Sequence, residues 1–110
     1  GGLRVLTATI PDADADRLRK MGDFLKDKEP NVVGVLAAIK DEKITFLAVC
    51  GKEAVAKGVK AGDIIKQVSA IAGGSGGGKP DSAMGGGKDP LMLDNALAMV
   101  DNVVSMKLGL

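Results

Sequence analysis

The chain has 110 residues, the size of a single domain with one hydrophobic core. Hydrophobic residues make up 45% and charged residues 26%, a globular balance that argues against disorder over most of the length. The net charge is +1, and the chain holds no His, Trp or Tyr, two Phe and one Cys. Imidazole relays, imidazole metal ligands, an internal disulfide and a base-stacking platform of any size are thereby excluded.

In chain order, Leu3 to Ile10 (LRVLTATI) is short, β-branched and apolar on both parities, as in a strand covered on both faces, and is expected at the centre of a sheet. Pro11 and Asp12 break it. Ala13 to Glu29 has Leu18, Met21 and Leu25 at helical spacing, and Asp12, Asp14 and Asp16 at its start read as a helix cap, not a metal site. After Pro30 and Asn31, the apolar runs Val32 to Ile39 and Ile44 to Val49 predict a hairpin joined by the four polar residues Lys40 to Lys43. Cys50 ends the second run as a small core residue. Lys52 to Lys57 reads as a short helix stopped by Gly58, and Ala61 opens a longer one with Ile64, Ile65, Val68, Ile71 and Ala72 on one stripe. Beyond a glycine-rich segment at 73–88, Asp89 and Pro90 open a final helix over 89–107 whose apolar face includes Leu93, Leu97, Val100 and Val104. The fold class is therefore α/β: a small mixed sheet of about three to four strands packed with about four helices, in one domain. No apolar run approaches the roughly 18 residues of a membrane span, and no basic stretch precedes a signal-like core, so no membrane association is expected and the chain reads as cytoplasmic.

The segment GGSGGGKPDSAMGGGKDP carries eight of the 16 glycines between Gly73 and Lys88. Its order, with Lys79, Pro80 and Asp81 between two glycine clusters and helices at both ends, reads as a structured loop and not a tether. Successive backbone N–H groups in such a loop form a nest for an anion, with phosphate the natural guest. Gly73 to Lys79 satisfies the GxxxxGK part of a phosphate-binding P-loop, but Pro80 stands where the magnesium-binding hydroxyl belongs and no strand feeds the loop. Segment charges of 0 for residues 1–50, +3 for 51–88 and −2 for 89–110 place the only basic excess on the loop and the helices before it, through Lys52, Lys57, Lys60, Lys66, Lys79 and Lys88. So small an excess, with almost no aromatics, fits shape-dependent contact with a folded phosphate backbone.

This ordered glycine string and the following LMLDNALAMVDNVVSMKL resemble the C-terminal globular domain, C-Ala, of bacterial alanyl-tRNA synthetases, and the upstream order of elements is similar as well. Related domains accompany DHH phosphoesterases of the RecJ type. The resemblance implies a module that binds the elbow of a tRNA, alanine-specific, and helps to couple aminoacylation with editing. It implies no catalytic residue, metal or cofactor in this chain. Its implied partners are the tRNA, other domains of a parent synthetase, and for some members a second copy. The residues it points to are Ser75, Gly76, Gly77, Gly78, Lys79 and Lys88, with Lys79 keeping a cation where relatives carry His or Arg. Asp81 reads as local turn structure. An alternative is a structural docking or dimerisation module whose glycines serve close packing, without strong RNA binding of its own. A phosphodiesterase fragment is the weaker third reading, because the ligands of that chemistry are not in the sequence.

Overall fold

Two strands dense in Val, Ile, Leu and Ala organise the chain: β2 (Val32–Lys40) and β3 (Lys43–Cys50), an antiparallel hairpin. Their runs are continuously apolar because both faces of the sheet are covered. Val33, Val35, Ala37, Phe46 and Ala48 face one side, and Leu36, Ala38, Leu47 and Val49 the other. The computed structural model describes residues 4–10 and 13–108; the break expected at Pro11 and Asp12 lies outside these, as does the side chain of Val104.

On the second face lies α1 (Ala15–Lys28). Its N-cap is Asp14, whose carboxylate accepts the Arg17 N–H at 2.9 Å, as the aspartate cluster foretold. Leu18 is fully buried there. The first face carries α2 (Lys52–Ala56), α3 (Ala61–Ile71) and α4 (Leu93–Leu108), which bury Ala54, Ile64, Ile65, Val68, Leu93, Ala96 and Val100 against Phe46 and its neighbours. Burial of each such large side chain stabilises the fold by roughly 1.5–3 kcal/mol. Gly58, at φ 93°, turns the chain out of α2. Asp89 accepts the Leu91 N–H at 3.1 Å, but the turn it caps, Pro90–Met92, is a 3-10 turn, and α4 begins only at Leu93.

The sheet has five strands in the order β1-β2-β3-β5-β4, where β1 is Arg4–Thr9, β4 is Gly76–Gly78 and β5 is Ser82–Gly87. Only β1 and β2 are parallel. The expectation of a mixed α/β sheet in one domain holds, with two corrections. First, β1 is an edge strand and not central: β3 already occupies the far side of β2, so the crossover through α1 can place β1 only outside it. Its two-sided apolarity has a different source, since Val5 packs against the first face, and Ala8 and the following Ile10 against the second. Second, the glycine segment is not a loop but the outer hairpin of the sheet.

The β2–β3 connection is also tighter than its four polar residues suggest. Lys40 pairs with Lys43, leaving Asp41 (φ 51°) and Glu42 (φ 64°) as a two-residue turn with both residues left-handed. Side chains disfavour that region, and Glu42 is exposed, so glycine there relieves strain without loss of packing. Glu42→Gly is expected to stabilise the fold by about 0.5–1 kcal/mol, raising the melting temperature by roughly 2–5 °C in a thermal melt. An unchanged or lower value would show that the turn is not strained.

Candidate nucleic-acid interface

Tertiary contacts hold the glycine segment in an extended form that its sequence does not announce. At its start, Gly73 (φ 79°) reverses the chain after α3, and the Gly74 N–H donates to the Ser69 carbonyl at 2.8 Å. At its tip, the Lys79 N–H donates to the Ser82 carbonyl at 3.0 Å, closing a turn through Pro80 and Asp81. The Pro80 carbonyl takes the Ala61 N–H at the start of α3, at 2.8 Å, and the Asp81 carbonyl takes the Cys50 N–H at the end of β3, at 3.0 Å. Where the segment ends, the Lys88 and Asp89 N–H groups both donate to the Ala72 carbonyl, at 2.9 and 3.0 Å. Between these anchors β5 pairs with β3 along its length and with β4 on its other side.

One stripe of α3 and its C-cap lies against this hairpin and accounts for three of its glycines. A Cβ on Gly76 would stand 2.6 Å from Ile65 Cγ2 and 2.7 Å from the Met84 carbonyl oxygen; one on Gly85 would meet Ile65 and Ser69; one on Gly87 would stand 2.6 Å from the Ala72 Cβ. The contact is mutual, since a Cβ on Gly62 in α3 would stand 2.9 Å from the Gly78 oxygen. Gly77 differs: its nearest neighbour would be Lys66 Cε, at 3.8 Å.

This geometry redistributes the residues singled out from the sequence. An anion nest requires N–H groups that converge, whereas those of a strand alternate in direction. Gly77 faces β5 in the ladder, so only the N–H groups of Gly76 and Gly78 point along the open edge of the sheet. Lys79 and Lys88 are exposed at opposite ends of β5, about 20 Å apart at ~3.3 Å per residue. Two grooves flank the hairpin. At the tip, a groove of about 450 Å³ is lined by Gly77, Gly78, Lys79, Asp81 and Ser82 together with Arg19 and Lys26 of α1. At the open end, one of about 360 Å³ is lined by Ser75, Gly74, Gly86, Gly87 and Lys88 together with Lys43 and Thr45 of β3. Gly77, Gly78 and Lys79 thus meet at one groove, Ser75 and Lys88 at the other. Lys52 lines neither; it borders a third cavity of about 370 Å³ with Lys26, Asp27, Pro30, Cys50 and Asp81.

Arg19, Lys26, Lys43 and Thr45 escaped the sequence reading because residues 1–50 carry no net charge. Recognising 82–87 as a strand beside β3 would have pointed to Lys43 and Thr45. The cations at the tip are partly committed: Arg19 pairs with Asp16, and Lys26 with Asp81 at 3.1 Å and Asp23 at 3.7 Å. Asp81 is therefore more than local turn structure, since it ties the hairpin tip to α1. The Lys26 hydrogen bond holds the Asp81 carboxyl below its ordinary value, outweighing partial desolvation. For Lys26, desolvation works against the charge, but Asp81 and the neighbouring carboxylates raise its pKa overall. Cys50 is buried, and its thiol is pushed up to about 12, mainly by burial, in keeping with plain core packing.

Comparison with known proteins places these features in context. The family model of the DHHA1 domain matches residues 2–106. The alanine–tRNA ligase of Alkaliphilus oremlandii is 42% identical over 99% of this chain, and that of Shouchella clausii 47% identical over 94%. The chain spans 12% of the length of each of these relatives. The crystal structure of the C-Ala domain from Aquifex aeolicus alanyl-tRNA synthetase superposes with a TM-score of 0.88 at 28% identity, covering 96% of this chain and 94% of that one.

Two outcomes follow from the packing. Gly76→Ala should cost about 1–3 kcal/mol in a denaturant titration, because backbone as well as Ile65 must move, while Gly77→Ala should stay within about 0.5 kcal/mol. Equal effects would show that α3 does not clamp the hairpin. The lowered Asp81 carboxyl contributes stability that is complete above its unfolded value near pH 4 and is lost as pH falls through the folded value. Half-exposed as it is, the pair is worth less than about 1 kcal/mol, so Asp81→Asn should lower stability by that amount at neutral pH, with the difference vanishing in acid.

Proposed function

The chain belongs to the DHHA1 domain family, and on that premise we propose that it is the tRNA-binding C-terminal domain of an alanine–tRNA ligase. The observation that carries this reading is the glycine hairpin with cationic grooves at both ends, in a chain whose likeness to the C-Ala domain runs over almost its whole length. Lysine ammonium groups and the open-edge N–H groups of Gly76 and Gly78 are donors suited to phosphate oxygens. Base stacking has no platform at the hairpin: Phe46 is buried in the core, and Phe24 sits on α1 beneath Lys28. Recognition therefore rests on the shape of a folded backbone, as at a tRNA elbow. Such a domain contributes no bond-making group. It holds the tRNA while other parts of a synthetase charge and edit it, and it acts in the cytoplasm.

The packing of Gly76, Gly85 and Gly87 against α3 favours a second reading, in which the glycines serve the fold and the domain docks on its synthetase or on a second copy. Titration of folded tRNA into the 110-residue chain separates the two. Lys79→Glu should weaken binding about tenfold at low salt. Binding at parental strength would remove the central assumption, and a stable dimer in light scattering without tRNA binding would establish the docking reading.

A further inference from the structure

The open end of the sheet gathers positive charge at a cost in stability. Lys40 and Lys43 oppose each other in the last register pair of β2 and β3, a like-charge juxtaposition that is unfavourable across strands. Lys43 also lines the groove that holds Lys88, with the hydroxyl residues Thr45 and Ser75 beside them. Among the described residues no carboxylate lines this groove, unlike the one at the hairpin tip, where Asp81 does. Asp41 and Glu42 lie beyond Lys43, exposed in the turn. The glycine walls expose backbone rather than side chains. An anionic oxygen in the groove is thus offered two ammonium groups and two hydroxyl donors. With no aromatic side chain in the lining, a free nucleotide has nothing to stack on, whereas a phosphodiester needs no stacking.

We propose that this groove is a second phosphodiester-contact site, with Lys43 as its principal cation and Lys88, Thr45 and Ser75 as companions. An RNA backbone then runs along the glycine hairpin and touches the chain at two points about 20 Å apart, at Lys79 and at Lys43. The proposal rests on the RNA-binding reading and adds to it a site and a direction of binding.

The test is binding of folded tRNA to the 110-residue chain across a range of salt, for the parent, Lys43→Gln, Lys79→Gln, the double variant, and Lys20→Gln as a control that lines neither groove at the hairpin. Each lost phosphate contact should lower the slope of log affinity against log salt by about 0.7–0.9, and the double variant by about twice that. Lys43→Gln should weaken binding roughly 3- to 10-fold at low salt and do so equally for tRNAs of different sequence, because phosphate contacts carry no sequence information. Its melting temperature should match or exceed the parent's, since Lys43 is exposed and its loss relieves Lys40. An unchanged slope for Lys43→Gln beside a lowered one for Lys79→Gln would overturn the second site and leave the RNA-binding reading standing. No change in either variant would overturn both. An equal loss in Lys20→Gln would reduce the effect to general charge and overturn the site.

Discussion

The structure depends on one steric condition, the absence of Cβ atoms where α3 meets the outer hairpin. Gly62, Ile65 and Ser69 of α3 and Ala72 at its C-cap recur at intervals of three and four residues, and each lies against a glycine of β4 or β5. Without side chains between them, helix and hairpin approach until backbone and side chain touch directly. The close fit carries costs. The Ser69 hydroxyl is buried beside Gly85 without a hydrogen-bond partner, a loss of order 1–3 kcal/mol. Glycines also surrender more chain entropy than any other residue when ordered. The anchors at Ala72, Pro80 and Asp81 offset part of this by fixing the segment at its end and its tip.

That condition also separates what the sequence discloses from what it hides. The β2–β3 hairpin, α1, α3 and most of α4 are legible because side-chain periodicity reports directly on which face is buried. A strand made of glycines has no periodicity to read. Whether such a segment is loop, nest or strand is decided by the neighbouring α3 and β3, which no local pattern contains. The edge position of β1 is hidden for a related reason, since apolarity on both parities reports two covered faces but not how many strands lie alongside. At the candidate site, Lys79, Lys88, Ser75 and the glycines are legible as a motif, but their division between two grooves is not, because an extended strand carries Lys79 and Lys88 to opposite ends. Arg19, Lys26 and Lys43 were masked by averaging: a stretch of 50 residues with no net charge still delivers three cations to the hairpin once it folds.

The two grooves differ in how their charges are held. At the tip, Lys26 is bound to Asp81, which fixes the turn to α1, and the Lys79 ammonium lies close enough to help lower the same carboxyl. Asp81 therefore serves placement, setting the height of the Lys79 turn against α1. At the open end no carboxylate lines the groove beside Lys43 and Lys88 among the described residues. A chain of net charge +1 has little long-range attraction for a polyanion, so the RNA-binding reading requires contacts that are few and well placed.

Placement is what the glycine packing supplies. Long lysine side chains on a flexible loop would lose much of their contact energy to ordering on binding. Here the backbone that bears Lys79 and Lys88 is already ordered, because α3 clamps the hairpin from one side and β3 holds it through a full ladder. The spacing between the two cationic ends is then set by strand geometry and not by loop dynamics, so a flexible single strand would pay an ordering cost to meet it that an already folded backbone of that spacing would not. The same glycines that serve the core in the docking reading thereby serve the RNA-binding reading as well: in that reading packing fixes the ruler, and the lysines at its ends are the proposed contacts.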